Sequence, residues 1–191
     1  MTWFKTCTAF AAAAVLAGCA ALEPPRPPAP RAPAFDLIGR VAVNYDGRAF
    51  SSGVRWEHLA ERDEIWLLTP MGQALAHIVG DAGGAIYTGS DRSQYRAGDV
   101  GSLTRRALGW ELPVERLAWW VRGEVAADGV IGEVARDPLG RLIRLTQDGW
   151  QVTYAYRSPD ESGSLPQRLE LVRDTHNIRL VIDTWRGADT P

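Results

Sequence analysis

The sequence predicts a mainly β (α+β) domain: about ten or eleven antiparallel strands with two short central helices. Three observations carry this. Apolar residues alternate at period two from Phe35 onward and again after Gly132. Tight-turn signals, among them Pro70-Met71-Gly72 and Asp148-Gly149, separate the alternating runs. Only between Gly98 and Val121 does the apolar spacing become that of an amphipathic helix.

In chain order, Phe35–Asn44 places Leu37, Val41 and Val43 on one face, and Ala49–His58 does the same with Phe50, Ser52, Val54 and Trp56. Glu64–Thr69 and Gln73–Val79 flank the Pro70-Met71-Gly72 turn, and Ala85–Thr88 and Gln94-Tyr95 are short strand signals. Gly98–Trp110 suits a helix with Asp99 as N-cap and Gly109 as its stop. Pro113 fits the start of a second helix, Pro113–Val121, whose Val114, Leu117, Ala118 and Val121 share a face at i, i+3, i+4 and i+7. Strands resume at Gly132–Arg136, Arg141–Gln147, Trp150–Arg157, Pro166–Arg173 and Asn177–Trp185.

The residues before Phe35 read differently. Met1–Lys5 is short and ends in a cation, Ala9–Ala17 is almost wholly apolar, and small residues follow, as in a secretory signal peptide over residues 1–18. Leu16-Ala17-Gly18-Cys19 resembles a bacterial lipobox, which implies cleavage before Cys19 and lipidation of its sulfur. An ordinary signal peptide with a chance cysteine is the alternative. Residues 19–34 then form the anchor and a tether that holds six of the twelve prolines, and the folded domain spans 35–191. The fifteen residues Ala20–Ala34 would reach about 45 Å at roughly 3.1 Å each in a polyproline II conformation. Ala20 stands where, in the enteric sorting rule, an aspartate retains a lipoprotein in the inner membrane; its absence implies the outer membrane.

Several function classes are disfavoured. The formal net charge of -2 is not that of a general nucleic-acid binder. Two cysteines and three histidines cannot build a disulfide framework or a dense Cys/His metal site. Nucleophile-elbow, zinc-helix, P-loop and dinucleotide-binding motifs are missing, so neither an enzyme nor a cofactor is expected. The adjacent acids Asp63/Glu64 and Asp160/Glu161 are expected to be solvated loop carboxylates.

Tryptophan is the unusual component: Trp56, Trp66, Trp110, Trp119, Trp120, Trp150 and Trp185 all follow Cys19. Such side chains bury a large apolar area while keeping one N–H donor in need of a partner. They are either plain core or the wall of a concave apolar basin of the kind found in barrel mouths.

The ordered motifs resemble the LolB family of outer-membrane lipoprotein receptors. They run Leu37-Ile38-Gly39-Arg40-Val41-Ala42-Val43, Val54-Arg55-Trp56, Leu68-Thr69-Pro70-Met71-Gly72-Gln73, Leu108-Gly109-Trp110-Glu111-Leu112-Pro113-Val114, Trp120-Val121-Arg122-Gly123, Gln147-Asp148-Gly149-Trp150-Gln151-Val152-Thr153-Tyr154, Leu165-Pro166 and Arg179-Leu180-Val181-Ile182. The resemblance implies an unclosed β-barrel of about eleven antiparallel strands with the helices as lid or plug. It implies a lipid-anchored monomer on the periplasmic side of the outer membrane. Such a protein takes acylated lipoproteins from a LolA-type carrier into an apolar cavity and inserts them among outer-membrane phospholipids, without cofactor, metal or nucleic acid. Trp56, Trp120, Trp150 and Trp185 match family tryptophans and are the expected cavity wall, with Leu37, Val41, Val43, Leu68, Ile143 and Leu145 beside them. In the Pro70-Met71-Gly72 turn, Met71 replaces a family leucine that projects outward and is needed for insertion; a tucked methionine in a plain hairpin turn is the alternative. A structural or assembly lipoprotein with a filled core is the competing function.

Overall fold

A computed structural model describes residues 32–157 and 164–186. The segment expected to be a signal peptide, Cys19, most of the expected tether and the Asp160/Glu161 pair lie outside the described residues.

Eleven strands form one antiparallel sheet. They are β1 (Phe35–Tyr45), β2 (Arg48–Leu59), β3 (Arg62–Leu68), β4 (Ala74–Asp81), β5 (Gly84–Gly89), β6 (Gln94–Ala97), β7 (Ile131–Arg136), β8 (Leu142–Gln147), β9 (Trp150–Ala155), β10 (Arg168–Arg173) and β11 (His176–Arg186). Between β6 and β7 come α1 (Val100–Leu108) and α2 (Val114–Trp120). The spatial order is β6-β5-β4-β3-β2-β1-β11-β10-β9-β8-β7, so two six- and five-strand meanders meet where β1 pairs with β11. The edges β6 and β7 do not pair with each other among the described residues, and the barrel is unclosed.

Register follows the apolar alternation. Leu37 lies opposite Trp56 on one side and Trp185 on the other, and Trp56 faces Ile65, which faces Ile78. A second row runs Phe50, Val43, Ile178, Leu171, Val152, Leu145, Val134 across seven strands. A one-residue slip would turn each such row to solvent, and this fixes the pairing. Gly39 is required by the β1–β11 junction: a Cβ there would lie 2.2 Å from the Val181 carbonyl oxygen.

The helices cover the inner face where no second sheet does. Asp99 caps α1, accepting from the Ser102 N–H at 2.7 Å, and Gly109 ends it in the left-handed region at φ 83°. Helix α1 rests on β4, β5 and β6 through Val100 and Leu103, and Val100 fills the space above Gly80. In α2 the apolar face foreseen from its spacing, Val114, Leu117 and Ala118, is buried together with Trp120 and the following Val121.

Candidate functional site

The inner face of the sheet is the candidate site. It gathers Leu37, Val41, Val43, Trp56, Leu145 and Trp150, all buried, with Trp185 half-buried beside them. Phe35 fills the corner between two tryptophans, with ring centroids 4.9 Å from Trp56 and 5.8 Å from Trp185, both edge-to-face. Trp120 reaches this core from α2. Trp66 belongs to the opposite face, where it stacks on His77 at 4.8 Å beneath the Arg55 guanidinium.

Two expected wall residues stand elsewhere. Leu68 is half-buried and pairs with Gly53, whose Cβ position would touch the Leu68 Cβ at 3.2 Å. Both therefore face outward, and Leu67 occupies the interior. Ile143 is 43% exposed at the irregularity where β7 and β8 shift register, and Leu142 is the residue buried there.

Polar groups inside this face hold the helices in place. Gln147 is wholly buried and fully used: its Oε1 accepts from Trp120 Nε1 at 3.0 Å and from the Ala126 N–H at 3.1 Å. Its Nε2 donates to the Ala126 and Asp128 carbonyls at 3.0 and 2.8 Å. The next residue, Asp148, accepts from the Val130 N–H at 2.8 Å and from Arg116 Nε at 2.6 Å, and Arg116 also pairs with Asp128. The Val130 N–H, then Arg116, hold the Asp148 carboxyl below the usual carboxylate range. One β-turn thus secures both α2 and the chain that follows it.

A second polar cluster closes the end where the chain enters. Asp63 accepts from Trp56 Nε1 at 2.7 Å, and His58 Nδ1 lies 2.7 Å from the same oxygen. The other His58 nitrogen is 3.3 Å from the carbonyl of Ala32, and Phe35 stacks on the ring at 5.0 Å. Asp63 is therefore not the solvated acid expected from its pairing with Glu64. The signal that finds it is register: Asp63 sits directly across from His58, two residues along one face from Trp56.

The interior is filled. Leu37, Trp120 and Trp150 are 0 to 2% exposed. A cavity of about 760 Å³ opens at the mouth, between the β2–β3 and β4–β5 turns and α2, with Ala32, Asp63, Val100, Pro113 and Trp119 on its lining. A smaller one, about 210 Å³, lies at the other end between β1, β2 and Trp110, and Val43 borders it. The expected wall residues Trp56, Trp120 and Trp150 line neither.

The β3–β4 turn is built as an outward tip. Thr69 closes it, with its N–H donating to the Gln73 carbonyl at 2.8 Å, its carbonyl accepting from the Gly72 N–H at 2.9 Å and its hydroxyl accepting from the Gln73 N–H at 3.1 Å. Gly72 supplies φ 79°. Pro70, Met71 and Gly72 are all exposed, Met71 by 88%, so the methionine is not tucked.

Comparison with known proteins gives this architecture a family. The family described as outer membrane lipoprotein LolB matches residues 33–185. An outer-membrane lipoprotein LolB of Nitrosomonas europaea is 41% identical over 155 residues, covering 80% of this chain and 73% of its own. One from Thiobacillus denitrificans is 39% identical over 178 residues, covering 91% and 92%. Among solved structures, a LolA superfamily protein of Nitrosomonas europaea aligns with TM-score 0.45 and 10% identity over 84% of this chain and 90% of its own. The unclosed eleven-strand sheet, its tryptophan-rich inner face and the match over residues 33–185 together place the chain in the LolB family of outer-membrane lipoproteins.

Proposed function

We propose that this protein is a lipid-anchored receptor of the outer membrane that takes acylated lipoproteins from a LolA-type periplasmic carrier and inserts them among the phospholipids of that membrane. The observation that carries this reading is the inner face itself. It is apolar across the sheet, yet it is covered by two short helices rather than by a second sheet. An acyl chain of about fifteen methylenes costs about 12 kcal/mol to expose, at ~0.8 kcal/mol per methylene. A protein that moves such chains through water must offer an apolar surface in exchange. Here α2 and its tryptophan fill that surface, and cargo takes their place as the helices move aside.

The Met71 tip supports the insertion step. It lies at the end of the sheet opposite Phe35, where the chain enters from the tether. The eleven residues of β1 are about 36 Å long at ~3.3 Å each. The proline-rich tether, expected to reach about 45 Å, would let the tip meet the membrane that holds Cys19. Methionine is flexible and apolar, suited to entering lipid.

The filled interior favours a second reading, a structural or assembly lipoprotein with a protein-binding face. Uptake separates the two. A mature chain carrying Cys19→Ala, mixed with carrier loaded with lipoprotein, should acquire the cargo in solution, because the anchor serves only as a leash. A folded variant that acquires none would favour the assembly role.

A further inference from the structure

Among the described residues, three buried side-chain atoms have no hydrogen-bond partner: Ser52 Oγ, His77 Nε2 and Tyr154 Oη. His77 lies 3.5 Å from Glu64 on the outer face, within reach of an ion pair. The two hydroxyls are different. Both belong to the inner face, and one cross-strand row connects them: Ser52 is opposite Val41, Val41 opposite Leu180, Leu180 opposite Leu169, and Leu169 opposite Tyr154. The three residues between them are aliphatic and buried, and Ser52 is itself only 8% exposed. The row crosses four strand spacings, about 19 Å along the sheet.

A buried hydroxyl without a partner is unfavourable and uncommon in native proteins. Alanine or valine at 52 and phenylalanine at 154 would fill the same space without that cost. Neither residue borders the cavities at the two ends of the sheet. Hydrocarbon gives a hydroxyl nothing to bond. The polar end of an acyl chain does: its ester or amide carbonyl is an acceptor that arrives dry, with the chain.

We infer that Ser52 and Tyr154 are hydrogen-bond stations for acyl carbonyls, each donating its hydroxyl proton to the carbonyl of a chain laid against its own strand. This rests on the receptor role proposed above and adds the chemistry by which the same site tells an acylated ligand from bare hydrocarbon. The carbonyls could belong to a lipoprotein's acylated cysteine or to a membrane phospholipid.

The test measures binding of three probes to the Cys19→Ala mature chain and to a Ser52→Ala/Tyr154→Phe double variant. The probes are a diacylglyceryl-cysteine peptide with ester-linked chains, its dialkyl-ether analogue of equal chain length, and a short-chain phosphatidylethanolamine. The unsubstituted site should prefer the ester peptide to the ether by at least fivefold. The double variant should lose that preference while its Tm stays level or rises. A phospholipid whose binding falls in parallel in the double variant identifies membrane lipid as a second source of the same carbonyls. A preference that survives in the double variant, or a fall in its Tm that reveals structural partners, overturns the assignment. Equal binding of ester and ether to the unsubstituted site overturns the stations alone, and binding of none of the probes overturns the receptor reading as well.

Discussion

Trp120 Nε1 donates to Gln147 Oε1 at 3.0 Å, and both side chains are wholly shut off from solvent. The bond joins α2 to β8 across the interior. Because Gln147 also holds the backbone of Ala126 and Asp128, its amide serves four partners at once. Replacing it with leucine would strand the indole N–H and several backbone groups. Gln147→Leu should therefore lower stability by about 3 kcal/mol, measured by chemical denaturation. A loss below about 0.5 kcal/mol would mean that these groups find other partners.

Acid should loosen the same corner. The Asp148 carboxyl is held below its ordinary value by the Val130 N–H and by Arg116. A depressed folded value contributes stability that is complete above the unfolded value near ~4 and lost as pH falls through the folded one. Asp148→Asn should cost about 2 kcal/mol at neutral pH and flatten the decline in stability below about pH 5. Stability curves for variant and parent that stay parallel down to about pH 2 would contradict this.

The seating of α1 can be tested by a pair of glycine substitutions. A Cβ on Gly80 would lie 2.5 Å from Val100 Cγ2, whereas one on Gly98 would meet nothing within 4 Å. Gly80→Ala should lower the unfolding free energy by about 1–3 kcal/mol through overpacking, and Gly98→Ala should change it by less than about 0.5 kcal/mol. Equal effects would show that α1 does not bear on β4 at this point.

Met71 stands 88% exposed at the tip of a braced turn. Met71→Glu should leave the acceptance of cargo unchanged and reduce its insertion into liposomes, because a charge in an apolar phase is costly. Met71→Leu should insert at the parent rate. Equal insertion by the glutamate variant would remove the tip from the process.

Much of this architecture was legible because the local signals agree with one another. Alternation in Phe35–Asn44 and Ala49–His58 sets the inner face, Asp99 and Gly109 bound α1, and Val114, Leu117, Ala118 and Val121 give α2 its buried side. The candidate site was legible where strands are regular and blurred where they are not. Strict alternation from Ile65 selects Leu67 rather than Leu68. The β7–β8 irregularity that buries Leu142 and exposes Ile143 is a pairing property of two strands, with no mark in either alone. Gln147 and Asp63 escape sequence reasoning for a related reason. Their partners lie 19 to 27 residues away for Gln147 and across a hairpin for Asp63, so only the assembled register brings them together.

Acyl chains taken up by this protein are expected to lie against the inner face of its sheet. A diacylated peptide with a photoreactive diazirine near each chain end, loaded onto the mature chain, irradiated and mapped by mass spectrometry, tests it directly. Adducts on Trp56, Leu37, Val43, Leu145 or Trp150 are the predicted result. Adducts confined to the outer-face residues Trp66, Ile38 and Leu68, with the inner tryptophans unlabelled, would contradict it.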